Sequence, residues 1–332
     1  MTDYAYRVNA EITNFQQALA NGGVTHSIPS MFTWWASTYL SPRLINVFGN
    51  ADIPAIFAGE IARQVLRSGS REASVLSLGS GDCLFEKSVH EFVPAGISVK
   101  WVCTDLNPLV TEHARNILTR DGYGEAFEFR TLDLNLEFVS GQYDIVLINH
   151  SLHHFLNLEF ILESARESLK PGGRVLVSDM IGRNGHMRWP EALGVVEALW
   201  RSLPDKYRFN NHAKCTEGLN FNNYDCTTNG DFEGVRAQDI LPLLLKNFSF
   251  ERFVGFGNIP DVFLDRAYGP NFDSSCDFDL RFIELCEGIN THLIDGGFVK
   301  PTMMIGVLSA DPVPCSFDRW SPEFSMRIPD PS

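Results

Sequence analysis

Val75 to Cys83 read VLSLGSGDC: a short apolar run enters two glycines, Gly79 and Gly81, and then meets an acid and a cysteine. A strand ending in a glycine turn lets a ligand approach the backbone closely, because no Cβ stands in the way. A phosphate cradle would want a lysine or a further glycine here, and this turn offers Asp82 and Cys83 instead. Around the turn, short apolar runs alternate with amphipathic stretches. Strands are predicted over 74–78, 98–104, 126–131, 143–149 and 173–179, and helices over 84–91, 109–120 and 158–169. Such alternation predicts an α/β fold with a parallel sheet and helices on its faces. Ligands of open sheets bind beyond the carboxyl ends of the strands, so the strand-end residues are the ones to inspect.

Upstream, residues 1–70 read as helical, with FQQALANG closed by glycine and AIFAGEIARQVLRSG stopped by Gly69. Between them MFTWWASTYLSPRL gathers Phe32, Trp34, Trp35 and Tyr39, which suits either packing onto the following domain or a lid over a small-molecule pocket. Downstream of residue 180 the alternation breaks. Residues 181–235 and 258–299 read as two ordered insertions rich in aromatic and polar side chains, separated by a helix in AQDILPLLLKNF and a strand in SFERFVGFG. TMMIGVLSA is the final strand. The expected organisation is a helical cap over 1–70, a catalytic domain over 71–310 and a tail over 311–332.

The chain has 332 residues and a net charge of −14, which repels polyanions, so a nucleic-acid partner is not expected. Seven cysteines without a C-x-x-C pair or zinc-type spacing point to reduced thiols in a cytoplasmic compartment and to no metal site. No stretch reaches the length that crosses a bilayer, and the amino terminus lacks a leader pattern, so a soluble protein is expected.

Four strand ends line up. After the Gly79-x-Gly81 turn comes Asp105, closing WVCTD, where an acid can accept from two ribose hydroxyls. Asp133 in TLDLN is placed to accept from an exocyclic adenine amine, and Asn149 and His150 leave the fourth strand toward the same cleft. With these motifs the sequence resembles the class I S-adenosylmethionine-dependent methyltransferases, motif by motif over about 74–180 and again over 236–309; LKPGGRVLVSD matches the family's turn and fifth strand. The resemblance implies a Rossmann-like, seven-stranded, mostly parallel sheet with S-adenosylmethionine as cofactor. It implies that Gly79, Ser80 and Gly81 face the methionyl portion, Asp105 and Leu106 the ribose, and Asp133 and Leu134 the adenine, while Asn149 and His150 border the transferring methyl group. Ser77 stands where many members have an acid, and Cys83 where many have a third glycine.

No G-K-[ST] is present to hold phosphates, which removes the kinase and NTPase readings, and NHSL replaces the motif of amide- and adenine-methylating members. Methyl transfer needs a nucleophile held in line and a base if that nucleophile carries a proton. His150, His154 and Asp179 are the candidate bases, though the His153–His154 pair equally suits packing and turn formation. Trp34, Trp35, Tyr39, Arg183 and His186 are expected to line the acceptor pocket. The expected activity is methyl transfer to an O, N or C nucleophile of a small biosynthetic metabolite. Two alternatives stay open: attack on the cofactor's own aminobutyryl chain with release of methylthioadenosine, and a catalytically silent scaffold. The aromatic segment also leaves room for burial in a homodimer.

Overall fold

The computed structural model describes residues 2–20 and 28–328. The glycine expected to close the first helix, Gly22, lies outside the described residues. Ten strands form: β1 (Glu72–Leu78), β2 (Ser98–Asp105), β3 (Phe127–Thr131), β4 (Tyr143–Asn149), β5 (Leu169–Met180), β6 (Phe209–Asn210), β7 (Cys215–Thr216), β8 (Ser249–Phe256), β9 (Met303–Ser309) and β10 (Ser316–Phe317). Eight of them make one sheet in the order β10-β8-β9-β5-β4-β1-β2-β3, and β6 and β7 make a separate hairpin. Every neighbour pair in the large sheet is parallel except those of β9, which runs antiparallel to both β5 and β8. The seven long strands agree with the expected sheet; the two-residue β10 at its edge is an addition, too short to leave an alternation in the sequence.

Period-two alternation divides each strand between two cores. In β4, Ile145 and Leu147 point to one face, where Phe57 and Ile61 of the helix Ile53–Ser68 cover them. Val146 and Ile148 point to the other, against Leu158 and Leu162 of the helix Leu158–Glu167 and Ile240 and Leu244 of the helix Ala237–Asn247. Sheets buried on both faces read as near-continuous apolar runs, as YDIVLIN does. Gly69, at φ 68°, closes the helix Ile53–Ser68 in a left-handed cap, as its place in the sequence predicts.

Residues 181–235 hold the helix Pro190–Ser202 and the β6–β7 hairpin. Residues 258–299 hold the helix Asp277–Asp295. Both meet the carboxyl end of β5, and residues 181–235 also reach the turn after β4, where the Val235 N–H donates to the His153 carbonyl. Residues 311–328 are docked: β10 pairs with β8, and Trp320 is buried with its indole N–H on Asp295.

Candidate active site

A cavity of about 250 Å³ opens where β1, β2 and β4 end, lined by Gly79, Gly81, Asp105, Leu106, Asp133, Leu134, His150 and His154. The glycine turn forms because both glycines take positive φ, and at Gly79 a Cβ would stand 2.7 Å from that of Ser151. At Gly81 nothing lies within 4 Å of the Cβ position, so the backbone there is bare to a ligand. Asp105 anchors the turn: one carboxylate oxygen accepts the Gly81 N–H at 3.1 Å and the other the Asn107 N–H at 2.8 Å. The Leu106 N–H also supports this carboxylate, which faces the cavity, and burial raises its pKa. Asp133 is engaged as well. One of its oxygens accepts from Asn135 and the other from the Tyr4 hydroxyl. Ser80 turns its N–H to Thr104 O, and neither Ser80 nor Asn149 lines the cavity.

Two departures in the turn have structural answers. Cys83 takes the left-handed conformation, φ 58°, that a third glycine would take, with its side chain buried. The Ser77 hydroxyl donates to Glu86 at 2.6 Å, so a carboxylate from the following helix stands beside the strand end that lacks one; burial pushes it up to about 7.

A second cavity, of about 820 Å³, lies beyond the end of β5 and is walled by both insertions together with Phe32 and Trp35. Arg183, His186, Arg188, Glu233 and Tyr268 line it, with Phe221 and Phe256 among its apolar surface. Of the expected acceptor residues Trp35, Arg183 and His186 are here. Trp34 and Tyr39 are not: their rings pack edge to face on each other at 6.0 Å. The segment runs as the helix Ser30–Trp35 and then a wider turn over Ala36–Leu40, and that phase turns Trp35 inward, its indole N–H on Glu287 at 2.9 Å.

The two cavities meet at a cluster of imidazoles and carboxylates. Asp179, wholly buried, accepts the backbone N–H groups of Ser151, Leu152 and Met180 and pairs with His153 Nδ1 at 2.6 Å. It lines neither cavity, which corrects its reading as a base: its lone pairs are taken, and it is an anchor for His153. His153 reaches Glu233 with its other nitrogen at 3.5 Å. Burial opposes charge on His153, but the two flanking carboxylates win and raise its pKa to about 10. Glu233, held low by His153 and His186 against its own burial, hydrogen-bonds His186 Nε2 at 2.5 Å and stands 3.5 Å from His154 Nε2. His154 is lowered to about 4 by burial and by the neighbouring charge on His153; burial also lowers His150. Both are therefore neutral.

His153, His186 and Glu233 offer three ligand atoms within 4.8 Å of one another. His186 and Glu233 are also joined directly, by an imidazole–carboxylate hydrogen bond at 2.5 Å. The arrangement suits proton transfer: one imidazole and one carboxylate open to the larger cavity, oriented by a buried ion pair behind them.

Residues 76–175 match the family model described as a methyltransferase domain. Over these residues the chain carries a methyltransferase domain. The chain is 30% identical over 136 residues, 40% of its length, to a polyketide synthase-nonribosomal peptide synthetase of Pyricularia grisea, and 31% identical over 129 residues, 36% of its length, to the lovastatin diketide synthase of Aspergillus terreus. It is 36% identical over 85 residues, 26% of its length, to the uncharacterized protein YafE of Escherichia coli. It spans only 3% and 5% of the two synthases and 36% of YafE. Among solved structures, the O-methyltransferase of a Brevibacillus brevis trans-AT polyketide multienzyme aligns over 77% of this chain and 74% of its own at 13% identity, with a TM-score of 0.41, too slight a likeness to bear on chemistry.

Sequence reasoning missed Glu233, Glu11 and Tyr4. Glu233 lies in DFEG, with no strand end or motif to mark it, and the other two lie on the first helix, Thr2–Ala20, which crosses the smaller cavity.

Proposed function

We infer that the smaller cavity holds S-adenosylmethionine and that the methyl group passes in line to an O, N or C nucleophile of a small molecule in the larger one. The observation that carries this is the junction: His154 lines the first cavity, Glu233 lines the second, and the two touch at 3.5 Å. The bare backbone at Gly81 and the cavity-facing carboxylate of Asp105 fit the cofactor's methionyl and ribose portions. When bound, that cofactor supplies an electrophilic methyl group on a sulfonium. The chain then has three tasks. It orients the nucleophile, through the polar side chains of the larger cavity, and it excludes water, through the aromatic wall of Phe32, Trp35 and Phe221. It also takes a proton. His186 and Glu233 are the pair for that step, because both open to the larger cavity and their contact lets the charge formed on the imidazole be met by the carboxylate.

The relatives that are polyketide synthases support an acceptor from small-molecule biosynthesis. The test is mass spectrometry of the adenosyl product after incubation with S-adenosylmethionine, alone and with a cell extract. S-adenosylhomocysteine formed only with extract supports transfer to an acceptor; methylthioadenosine formed without it overturns the reading.

A further inference from the structure

The first helix brings one acid into the smaller cavity. Glu11 lines it, accepts the backbone N–H of Phe232, and places a carboxylate oxygen 3.9 Å from His154 Nδ1, a buried nitrogen with no hydrogen-bond partner among the described residues. The helix is tied down on either side of Glu11. The Tyr4 hydroxyl donates to Asp133, Arg7 donates to the Asp231 carbonyl at 2.6 Å, and Asn14 donates to the Asp231 carboxylate at 3.1 Å.

Charge makes this placement meaningful. Among the described residues three carboxylates line the cavity, those of Glu11, Asp105 and Asp133, with Asp231 and Glu233 close by, and no lysine or arginine lines it. Such a lining selects a ligand that brings positive charge. Glu11 also sits between the two landmarks of the site, within electrostatic reach of Asp105 on the ribose side and of Glu233 on the acceptor side. The sulfonium is the atom bonded both to the ribose 5′ carbon and to the methyl group that leaves. We propose that Glu11 is the carboxylate that meets the cofactor's sulfonium, so that the N-terminal helix distinguishes the charged methyl donor from the neutral thioether product. This rests on the smaller cavity being the cofactor site. Burial beside Asp231, Asp105 and Glu233 raises the Glu11 pKa to about 7, which fits a carboxyl waiting for a cationic partner.

Titration calorimetry on the full chain tests it, with S-adenosylmethionine and S-adenosylhomocysteine as separate ligands and Glu11→Gln and Glu11→Asp as variants. Glu11→Gln is expected to weaken S-adenosylmethionine at least tenfold while S-adenosylhomocysteine changes less than twofold. Glu11→Asp, which keeps the charge, should recover part of the loss. Equal weakening of both ligands, or no change in either, overturns the role of Glu11 and leaves the cavity assignment standing. A wild-type chain that bound neither ligand would overturn the cavity assignment itself.

Discussion

Removing the Asp105 carboxylate tests the proposed cofactor site most directly. Its oxygens accept the backbone N–H groups of Gly81 at 3.1 Å and Asn107 at 2.8 Å and face the cavity, where the proposed function places two ribose hydroxyls as further donors. Hydrogen bonds to a charged group contribute about 1.5–3 kcal/mol each, so losing two costs about 3 kcal/mol or more, a weakening of roughly 150-fold. Asp105→Ala also frees the Gly81 N–H and loosens the turn, which adds to the loss. Asp105→Asn separates the two effects: its amide oxygen can still accept from one N–H, and its NH₂ cannot accept a hydroxyl's proton, so an intermediate loss of about tenfold is expected. Calorimetry with S-adenosylhomocysteine reads the affinity, and a thermal melt shows that both variants fold. An Asp105→Ala variant that melts like wild type and binds within threefold of it would refute the reasoning.

Three further outcomes follow from the site. Glu233→Gln keeps the shape and removes the charge beside His186, so turnover should fall at least a hundredfold while S-adenosylhomocysteine affinity stays within threefold; a parallel loss of both would make Glu233 a structural residue. Gly79→Ala must hold a Cβ at φ 65° against Ser151, at a cost of about 2–4 kcal/mol, read as a lower urea midpoint with an unchanged slope. His153 is raised to about 10 in the fold against about 6.5 unfolded, so its contribution to stability is complete below about pH 6.5 and fades as pH rises through 10. Melting temperatures from pH 6.5 to 10 should therefore fall, and should fall less in His153→Gln; equal slopes would remove His153 as the cause.

The lining of the smaller cavity was legible because it is local. Gly79, Gly81, Asp105 and Asp133 each follow an apolar run whose period already fixes where the strand ends, and all four line one cavity. That of the larger cavity was legible in outline only. Arg183 and His186 follow β5 directly, whereas Glu233 reaches the cluster from the far end of an insertion, and nothing in DFEG reveals a partner at His153 or His186. Trp34 and Trp35 are neighbours in the sequence, and helical phase alone sends one inward and the other onto Tyr39. Asp179 looked like a base because it ends a strand; the three N–H groups converging on it are a tertiary fact that no spacing encodes.

The place of β9 between β5 and β8 has a consequence for how the molecule is made. During synthesis β1 to β5 emerge as one continuous block, from Glu72 to Met180, that can pair strand by strand and already carries Gly79, Asp105 and Asp133. The outer edge of β5 then waits, with its backbone donors and acceptors unpaired, until Met303–Ser309 leaves the ribosome. The nascent chain thus passes through an interval with an unpaired strand edge at the centre of its future sheet, and chaperone demand should track that interval rather than the stability of the finished fold.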